Sequence, residues 1–262
     1  MSNNINIVCL INEENLDYIK TTLFSLILNN NTNFHYEIFC LTSIDKKDEK
    51  CNFEVFKKIN NTKIHIRDLN EYAIKFGIQN RKDFKINCMF YLDQIIPVNI
   101  EQILYFSHKI IVNKSLLDLA RVKLTENEYL SMLKFNHQFQ FDFTIINLKI
   151  FRNKFINQKY ISLLNQNKIL DIEEVLEDFK DNIRELSFNI LRPNLNIDKH
   201  YMKVLHKYNH VFFQEQLNKI IEINKPSMLL FINEPWKNKY VLFYDIWKQY
   251  YKEYKYLESL LQ

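Results

Sequence analysis

Apolar and polar positions recur along this chain with two periods, and their succession predicts an α/β fold. Ile5 to Ile11 is a short apolar run rich in β-branched residues and reads as a buried strand. Asn12 is placed to cap the helix that follows. In that helix Leu16, Ile19, Leu23, Leu26 and Ile27 fall on one face at three- and four-residue steps. The asparagine cluster from Asn29 to Asn33 ends it. Tyr36 to Thr42 reads as a second strand, Phe53 to Ile59 as part of a second helix, and Lys63 to Arg67 as a third short strand. This alternation implies parallel pairing through right-handed crossovers.

Further along, Asp83 to Ile96 reads as a helix with Ile86, Met89 and Phe90 inward, stopped by Pro97. The apolar runs Ile103 to Phe106 and Ile110 to Val112 flank the polar triplet Ser107-His108-Lys109. Phe139 to Leu148 alternates and then turns solidly apolar, as a strand entering a core does. Ile150 to Ile190 is helical in pattern with a polar break near Asp171, and His200 to Ile223 is helical as well. Met228 to Ile232 reads as a last short strand. Phe243, Trp247, Tyr250, Tyr254 and Leu257 then share a helical face. No Pro/Gly/Ser linker or internal repeat interrupts the chain. The expectation is one α/β domain over residues 1–240, a mostly parallel twisted sheet flanked by helices. Residues 241–262 form an amphipathic aromatic helix, packed on the domain or used for attachment.

Composition narrows the chemistry. The 262 residues are 47% hydrophobic and 25% charged, enough for a sizeable core. The net charge of +4 is too mild to argue for nucleic acid. The single glycine, Gly77, excludes a Walker A loop and a Gly-x-Gly-x-x-Gly dinucleotide fingerprint, so no Gly-rich turn cradles phosphate. Cys9, Cys40, Cys51 and Cys88 form no Cys-x-x-Cys pair, which points to reduced thiols and a cytoplasmic setting and against zinc. The first residues lack a basic stretch followed by a long apolar one, and no window is apolar enough to span a bilayer. His200, His206 and His210 lack metal-ligand spacing, and the run from Asp45 to Lys50 is a solvated helix start. Tyr91-Leu92-Asp93 sits in a helical run and reads as structural. No Ser/His/Asp or Cys/His nucleophilic set stands out.

Five segments carry a resemblance. Ile11 to Leu26 is similar to a first strand end, loop and helix closing on a "T-I-x-S-I/L" pattern. Leu104 to Leu116 resembles "L-Y-L-D-x-D-I-I-V-x-x-S-L", and Phe139 to Arg152 resembles "F-N-S-G-V-M-L-I-N-L-K-x-W-R", with Ile146-Asn147-Leu148-Lys149 kept. Asp171 to Leu186 is similar to "D-Q-D-x-L-N" and the loop after it, and Ile232 to Trp236 to the end of "H-x-x-G-x-x-K-P-W". These are the patterns of glycosyltransferase family 8. Its members are retaining GT-A type enzymes, among them bacterial lipopolysaccharide galactosyl- and glucosyltransferases and glycogenin. The resemblance runs from about Ile5 to about Tyr251. It implies a nucleotide-diphospho-sugar transferase domain, a uridine-type nucleotide sugar as donor, a glycan acceptor, and a divalent cation, usually manganese.

The departures gather at the chemistry. The Asp-x-Asp carboxylates that would hold the cation are Ser107 and Lys109, with His108 between them. The late histidine of the metal site falls on Leu230 or Phe231, and the lysine before Pro-Trp is Glu234. The donor-binding Asn and Gly of the fourth strand become Gln140 and Asp142, and Asp-Gln-Asp becomes Asp171-Ile172-Glu173. The aspartate near the uridine becomes Asn12, and an expected arginine falls near Met89. A hard cation needs oxygen ligands, preferably carboxylates. Two unit charges about 4 Å apart repel by about 4 kcal/mol at an effective dielectric of 20, and a divalent ion doubles that. The expectation is therefore no metal.

Three readings follow. One is a degenerate glycosyltransferase of surface-glycan assembly, binding a nucleotide sugar, a glycan or a partner transferase. In it Asn12, Ser107, His108, Gln140 and Asp171 line the nucleotide-sugar site, with Asn12 and Ser107 in one cleft beyond the strand ends. Another is an active, metal-independent transferase in which Lys109 supplies the positive charge for the departing diphosphate and Asp142 or Glu173 faces the donor sugar. The third is an unrelated α/β binding module. The tail, with Trp247, Tyr250, Tyr251, Tyr254 and Tyr256 among Lys248, Lys252 and Lys255, suits a second copy, a partner protein or peripheral contact at the inner membrane face.

Overall fold

The computed structural model describes residues 4–29, 34–44, 52–59, 61–78, 88–116, 119, 121–135, 138–155, 157–166, 172–186, 190–191, 227–231, 235–237 and 244–260. In chain order the elements begin β1 (Asn4–Ile11), α1 (Leu16–Leu28), β2 (His35–Thr42), α2 (Glu54–Lys57), β3 (Thr62–Asp68) and α3 (Leu69–Lys75). They continue α4 (Leu92–Ile95), β4 (Gln102–Phe106), β5 (Ile110–Val112), β6 (Leu130–Phe135), β7 (Gln138–Asn147) and α5 (Leu148–Lys154). Last come α6 (Gln158–Asn165), α7 (Ile172–Phe179), β8 (Ile183–Glu185), β9 (Ile190–Leu191), β10 (Met228–Leu230) and α8 (Tyr244–Ser259). The fold is mixed α/β, as the sequence pattern predicts.

The chain divides into two compact units. The first takes Met1–Leu16, Thr32–Phe106 and Ala120–Ser187; the second takes Asp17–Asn31, Ser107–Leu119 and Phe188–Gln262.

Among the described residues the first unit holds a seven-stranded sheet in the order β3-β2-β1-β4-β7-β6-β8. The β2–β3, β1–β2 and β1–β4 pairings are parallel, with Ile7 opposite Leu104 and Ile38 opposite Ile64. β7 is antiparallel to both β4 and β6, and β8 is parallel to β6. The sheet is thus mostly parallel. Val8, Phe39, Leu41, Ile103, Met132 and Ile146 join Met89, Phe90, Leu92, Phe151 and Phe179 in one core. Gly77 follows α3 with φ +68. The Gly77 N–H donates to the Ile74 carbonyl at 3.0 Å and the Ile78 N–H to that of Ala73 at 2.9 Å, the paired bonds that close a helix through a left-handed residue. With no other glycine available, Asn61 (φ 68) and Phe155 (φ 51) fill two further left-handed positions.

Three expectations change. The helix predicted over Asp83 to Ile96 is, within its described part, a 3-10 turn at Cys88–Tyr91 followed by α4. Met89 and Phe90 are buried as expected. The stretch predicted helical from Ile150 to Ile190 holds α5, α6 and α7, then turns into β8, which finds its partner on β6. The sequence pattern also misses β6. Leu130, Ser131, Met132 and Leu133 are all buried, so both faces are covered there and no inside–outside alternation shows. The helix over His200 to Ile223, the charge run from Asp45 to Lys50, Ile86 and Phe243 lie outside the described residues.

In the second unit β10 pairs antiparallel with β5 and parallel with β9. The Ser25 hydroxyl of α1 accepts from the Val112 N–H of β5 at 3.0 Å, and the Asn29 amide donates to the Val112 carbonyl at 3.0 Å. The sequence predicts one buried face for α1, yet the polar side chains Lys20, Thr21, Thr22 and Ser25 are buried as well. Three of them are satisfied locally or by α8. Thr21 donates to the Asp17 carbonyl, Ser25 to that of Thr22, and Lys20 to the Glu258 carboxylate. On α8, Trp247 and Tyr254 are turned inward, whereas Tyr256 is exposed and so is Leu257, which the sequence places on the same face as Trp247. Among the described residues no helix is long and apolar enough to cross a membrane.

Candidate functional site

In the first unit the residues of interest gather where β1 and β4 end. Asn12 directly follows β1. Its side-chain oxygen accepts from the Asn15 N–H, and the Asn15 side-chain oxygen accepts from the Asn12 N–H, both at 2.9 Å. This reciprocal pair has the logic of a capping box, set one turn ahead of α1. Asn12 is exposed, and its amide NH2 carries none of that pairing.

Gln140 and Asp142 lie on β7, where the ladder breaks. Met132 pairs with Thr144, but the next residue, Leu133, pairs with Gln140. Residues 141, 142 and 143 therefore have no opposite number on β6 and bulge from that strand, while Phe143 still pairs with Phe106, the last residue of β4. The Thr144 hydroxyl, donating to the Phe141 carbonyl at 3.2 Å, braces the bulge. Bulges re-aim side chains, and this one sets Asp142, half-buried, beside the strand end. Its charge is felt by Tyr105 of β4. Burial first, and then the Asp142 carboxylate, push the Tyr105 phenol above its ordinary range. The first unit thus brings Asp142 to Tyr105, whose partner on β1 is Val8; Asn12 lies four residues further along. Tyr105 was not among the sequence candidates. Its apolar strand context hid it.

In the second unit Ser107-His108-Lys109 is the turn that enters β5. The Ser107 hydroxyl accepts from the Lys109 N–H at 3.2 Å, and the Lys109 carbonyl accepts from the Phe231 N–H at 2.8 Å. Ser107 is buried; His108 and Lys109 are half-buried. The His108 ring lies 5.1 Å from that of Trp236, tilted by 49°. Trp236 stacks on Tyr18 of α1 at 4.0 Å and 14°, and Trp247 of α8 stands 5.9 Å from Trp236. Two sequence segments singled out above, Ser107 to Lys109 and Pro235-Trp236, are therefore neighbours. Phe231 is fully buried.

Glu173 sits on the first turn of α7, and Asp171 lies outside the described residues. Asp93, read as structural, accepts from the Asn157 amide at 2.5 Å, and burial raises its pKa. Two residues of the "I-N-L-K-x-W-R" resemblance do structural work as well. Asn147 accepts from the Ile150 N–H to cap α5 and donates to the Thr125 and Glu128 carbonyls. Arg152 fans its guanidinium over the carbonyls of Asp93, Ile96, Pro97, Val98 and Ile100.

The Ser107-His108-Lys109 turn itself offers one hydroxyl, an imidazole against an indole and an ammonium side chain. This set does not fit a hard cation, which asks for carboxylate oxygens. Among the described residues no group of three or more His, Cys, Asp or Glu side chains is placed to hold a metal.

No family model and no curated protein sequence matches the chain. Solved structures do. WbbM, a bifunctional glycosyltransferase in its apo form, matches with TM-score 0.73 and 14% identity over 95% of this chain and 49% of its own. The glycosyltransferase GlyE of Streptococcus pneumoniae TIGR4 matches with TM-score 0.66 and 19% identity over 95% of this chain and 60% of its own. The galactosyltransferase LgtC, solved with donor and acceptor sugar analogues, matches with TM-score 0.63 and 11% identity over 95% of this chain and 96% of its own. The chain spans about half the length of WbbM and 60% of that of GlyE. Its fold is the GT-A type glycosyltransferase fold.

Proposed function

We propose that this chain is a family 8-type glycosyltransferase homologue of bacterial surface-glycan assembly that binds a uridine-type nucleotide sugar without a metal and has lost metal-dependent transfer. The observation that carries the proposal is the Ser107-His108-Lys109 turn, set against Trp236 and the Phe231 backbone. It occupies the motif position expected to meet the diphosphate, with a hydroxyl and an ammonium group replacing two carboxylates. Lys109 answers the diphosphate charge directly, as a lysine can. By the resemblance, Asn12, Gln140, His108 and Asp171 are the positions assigned to the nucleotide sugar, and Asp142 or Glu173 the carboxylate assigned to the donor sugar. No step is assigned to a metal.

The second reading, a transferase that turns over without metal, uses the same residues, with Lys109 as the cation beside the leaving diphosphate. Its support is the half-buried setting of Lys109.

Thermal shift with uridine diphosphate and a panel of uridine diphosphate sugars, with manganese or with EDTA, tests both. A ligand at 100 times its dissociation constant adds about 2.7 kcal/mol of stability by mass action. The expected result is a rise in melting temperature that EDTA does not abolish, lost in Lys109→Ala. The double variant Ser107→Asp/Lys109→Asp should instead make the rise depend on manganese. Absence of any shift, or a wild-type shift that needs manganese, overturns the proposal. Release of free sugar or transfer in EDTA selects the second reading.

A further inference from the structure

In the first unit β1 and β2 set two cysteines side by side inside the sheet. The parallel register places Cys9 opposite Cys40, and the Cys9 thiol donates to the Cys40 sulfur at 3.6 Å. The two residues are 31 positions apart in sequence. The proposed nucleotide site uses neither of them.

The pairing has the geometry of a disulfide not yet made. Neighbouring strands lie about 4.8 Å apart, so an in-register pair has its Cα atoms inside the window of about 4.4–6.8 Å that a disulfide spans. Opposite residues of the pair project from the same face of the sheet. At 3.6 Å the sulfurs are already in contact, and bonding them calls for side-chain rotation within the existing register.

Burial decides when such a bond can form. Cys9 and Cys40 are both fully buried. Two residues to either side on the same face, Ile7 pairs with Ile38 and Ile11 with Thr42, and all four are buried too. A disulfide reagent the size of a tripeptide has no path to either sulfur in the folded chain, where buried thiols are inert. In the unfolded chain all four cysteines are open to exchange, and the long separation keeps Cys9 and Cys40 apart most of the time. Pairing β1 with β2 brings these two sulfurs together, so folding selects this bond from the alternatives.

We infer that Cys9 and Cys40 are a folding-coupled disulfide site, closed when the chain folds in the presence of a disulfide oxidant and then sealed by the finished core. A chain that folds among reduced thiols seals the pair as thiols instead. With oxidised glutathione the step balances. One protein thiolate attacks the glutathione S–S bond, which breaks, giving a mixed disulfide and one released glutathione thiolate. The other protein thiolate attacks the protein sulfur of that mixed disulfide, forming the Cys9–Cys40 bond and releasing the second glutathione. The protein gives up two electrons and two protons, and glutathione disulfide takes them. The inference stands apart from the transferase reading.

Refolding tests it. The reduced full chain is unfolded in urea and diluted into a mixture of oxidised and reduced glutathione, or into reduced glutathione alone. Free thiols are then blocked with iodoacetamide under denaturing conditions, and peptides are mapped by mass spectrometry without reductant. In the fraction that regains native near-ultraviolet circular dichroism, the expected result is an intramolecular link between Cys9 and Cys40 in the oxidising mixture and none in reduced glutathione. The linked protein should unfold at a urea midpoint about 1 M higher. Folded, reduced protein placed in the same oxidising mixture without urea should stay unlinked over the same period. Cys9→Ala and Cys40→Ala should each refold without a link at the remaining thiol. The inference is overturned if the native fraction keeps both thiols free or links Cys51 or Cys88 in their place. A link confined to non-native material, a midpoint lowered by the link, or folded protein oxidised as fast as the refolding chain overturns it equally.

Discussion

Removing the carboxylate of Glu258 should cost the second unit far more than an exposed ion pair is worth. Lys20 of α1 is 2% exposed, and its Nζ lies 3.0 Å from Glu258 Oε1 on α8. Glu258 also accepts from the Tyr254 hydroxyl and from Lys255 at 3.0 Å, and Lys255 reaches Asp17 at 2.8 Å. Exposed pairs contribute about 0–1 kcal/mol. Removing one member of a buried pair costs about 3–5 kcal/mol, whereas replacing both members by apolar groups is often neutral. Glu258→Ala should therefore lose about 3 kcal/mol, and Lys20→Met/Glu258→Leu should stay within about 1 kcal/mol of the native chain. The assay is urea unfolding followed by tryptophan fluorescence. The two tryptophans, Trp236 and Trp247, both lie in the second unit, so the signal reports on it directly. The pH dependence has a definite sign. Burial pushes the Glu258 carboxyl up, but hydrogen bonds from Tyr254, Lys20 and Lys255 outweigh it and hold the pKa below the ordinary 4.5. Its contribution is present above pH 4.5 and lost as the pH falls through the lower folded-state value. Glu258→Gln should flatten that acid limb. The reasoning is refuted if Glu258→Ala costs under about 1 kcal/mol, or if the double variant loses as much as Glu258→Ala alone.

Gly77→Ala should destabilise by about 1–2 kcal/mol in chemical denaturation, since a Cβ there meets nothing within 4 Å and only the left-handed backbone objects. Phe155→Gly is the converse: the side chain is 65% exposed at φ 51, and relief of the backbone should offset the lost packing and raise stability by up to about 1 kcal/mol. Arg152→Lys should cost on the order of 2–3 kcal/mol, because an ammonium group cannot satisfy five carbonyls spread over residues 93–100; proteolysis mapping should then show earlier cleavage in that segment. Native-state alkylation at pH 8 should spare Cys88, whose thiol burial pushes up to about 12, and mass spectrometry should find it labelled only after unfolding.

The parts of the fold that were legible in sequence are those where one physical signal dominates. β1, β2 and β3 are short β-branched runs separated by turn residues, and their bounds fall within two residues of the pattern. β6 was illegible because burial on both faces erases the period that reveals a strand. β8 was illegible because Ile183–Glu185 is too short for any period, and its partner, Leu130 to Met132, lies some fifty residues earlier. A pairing that distant is a tertiary fact. On α1 the buried Lys20 broke the usual rule that a lysine marks the solvent face, and the position of Glu258, 238 residues on, helps to make it tolerable.

The candidate site divides along the same line. Ser107, His108 and Lys109 could be singled out because a polar triplet between two apolar runs is a local anomaly, and its neighbour Trp236 follows once β10 is laid beside β5. Tyr105 could not be singled out. A tyrosine in a buried strand looks like core until Asp142 is found to act on it. The resemblance itself reads differently once the structure is in hand. Asn147 and Arg152, which match the family pattern, are saturated by backbone partners and carry the fold. Positions that depart from it, Ser107, Lys109, Asp142 and Asn12, sit at strand ends and turns, where Ser107 and Asn12 each hold a single local backbone N–H. On the function proposed above, in which no metal constrains them, such positions are free to drift, while a change at Asn147 or Arg152 strands several carbonyls at once. Retained scaffold residues beside altered site residues are what that difference in cost produces.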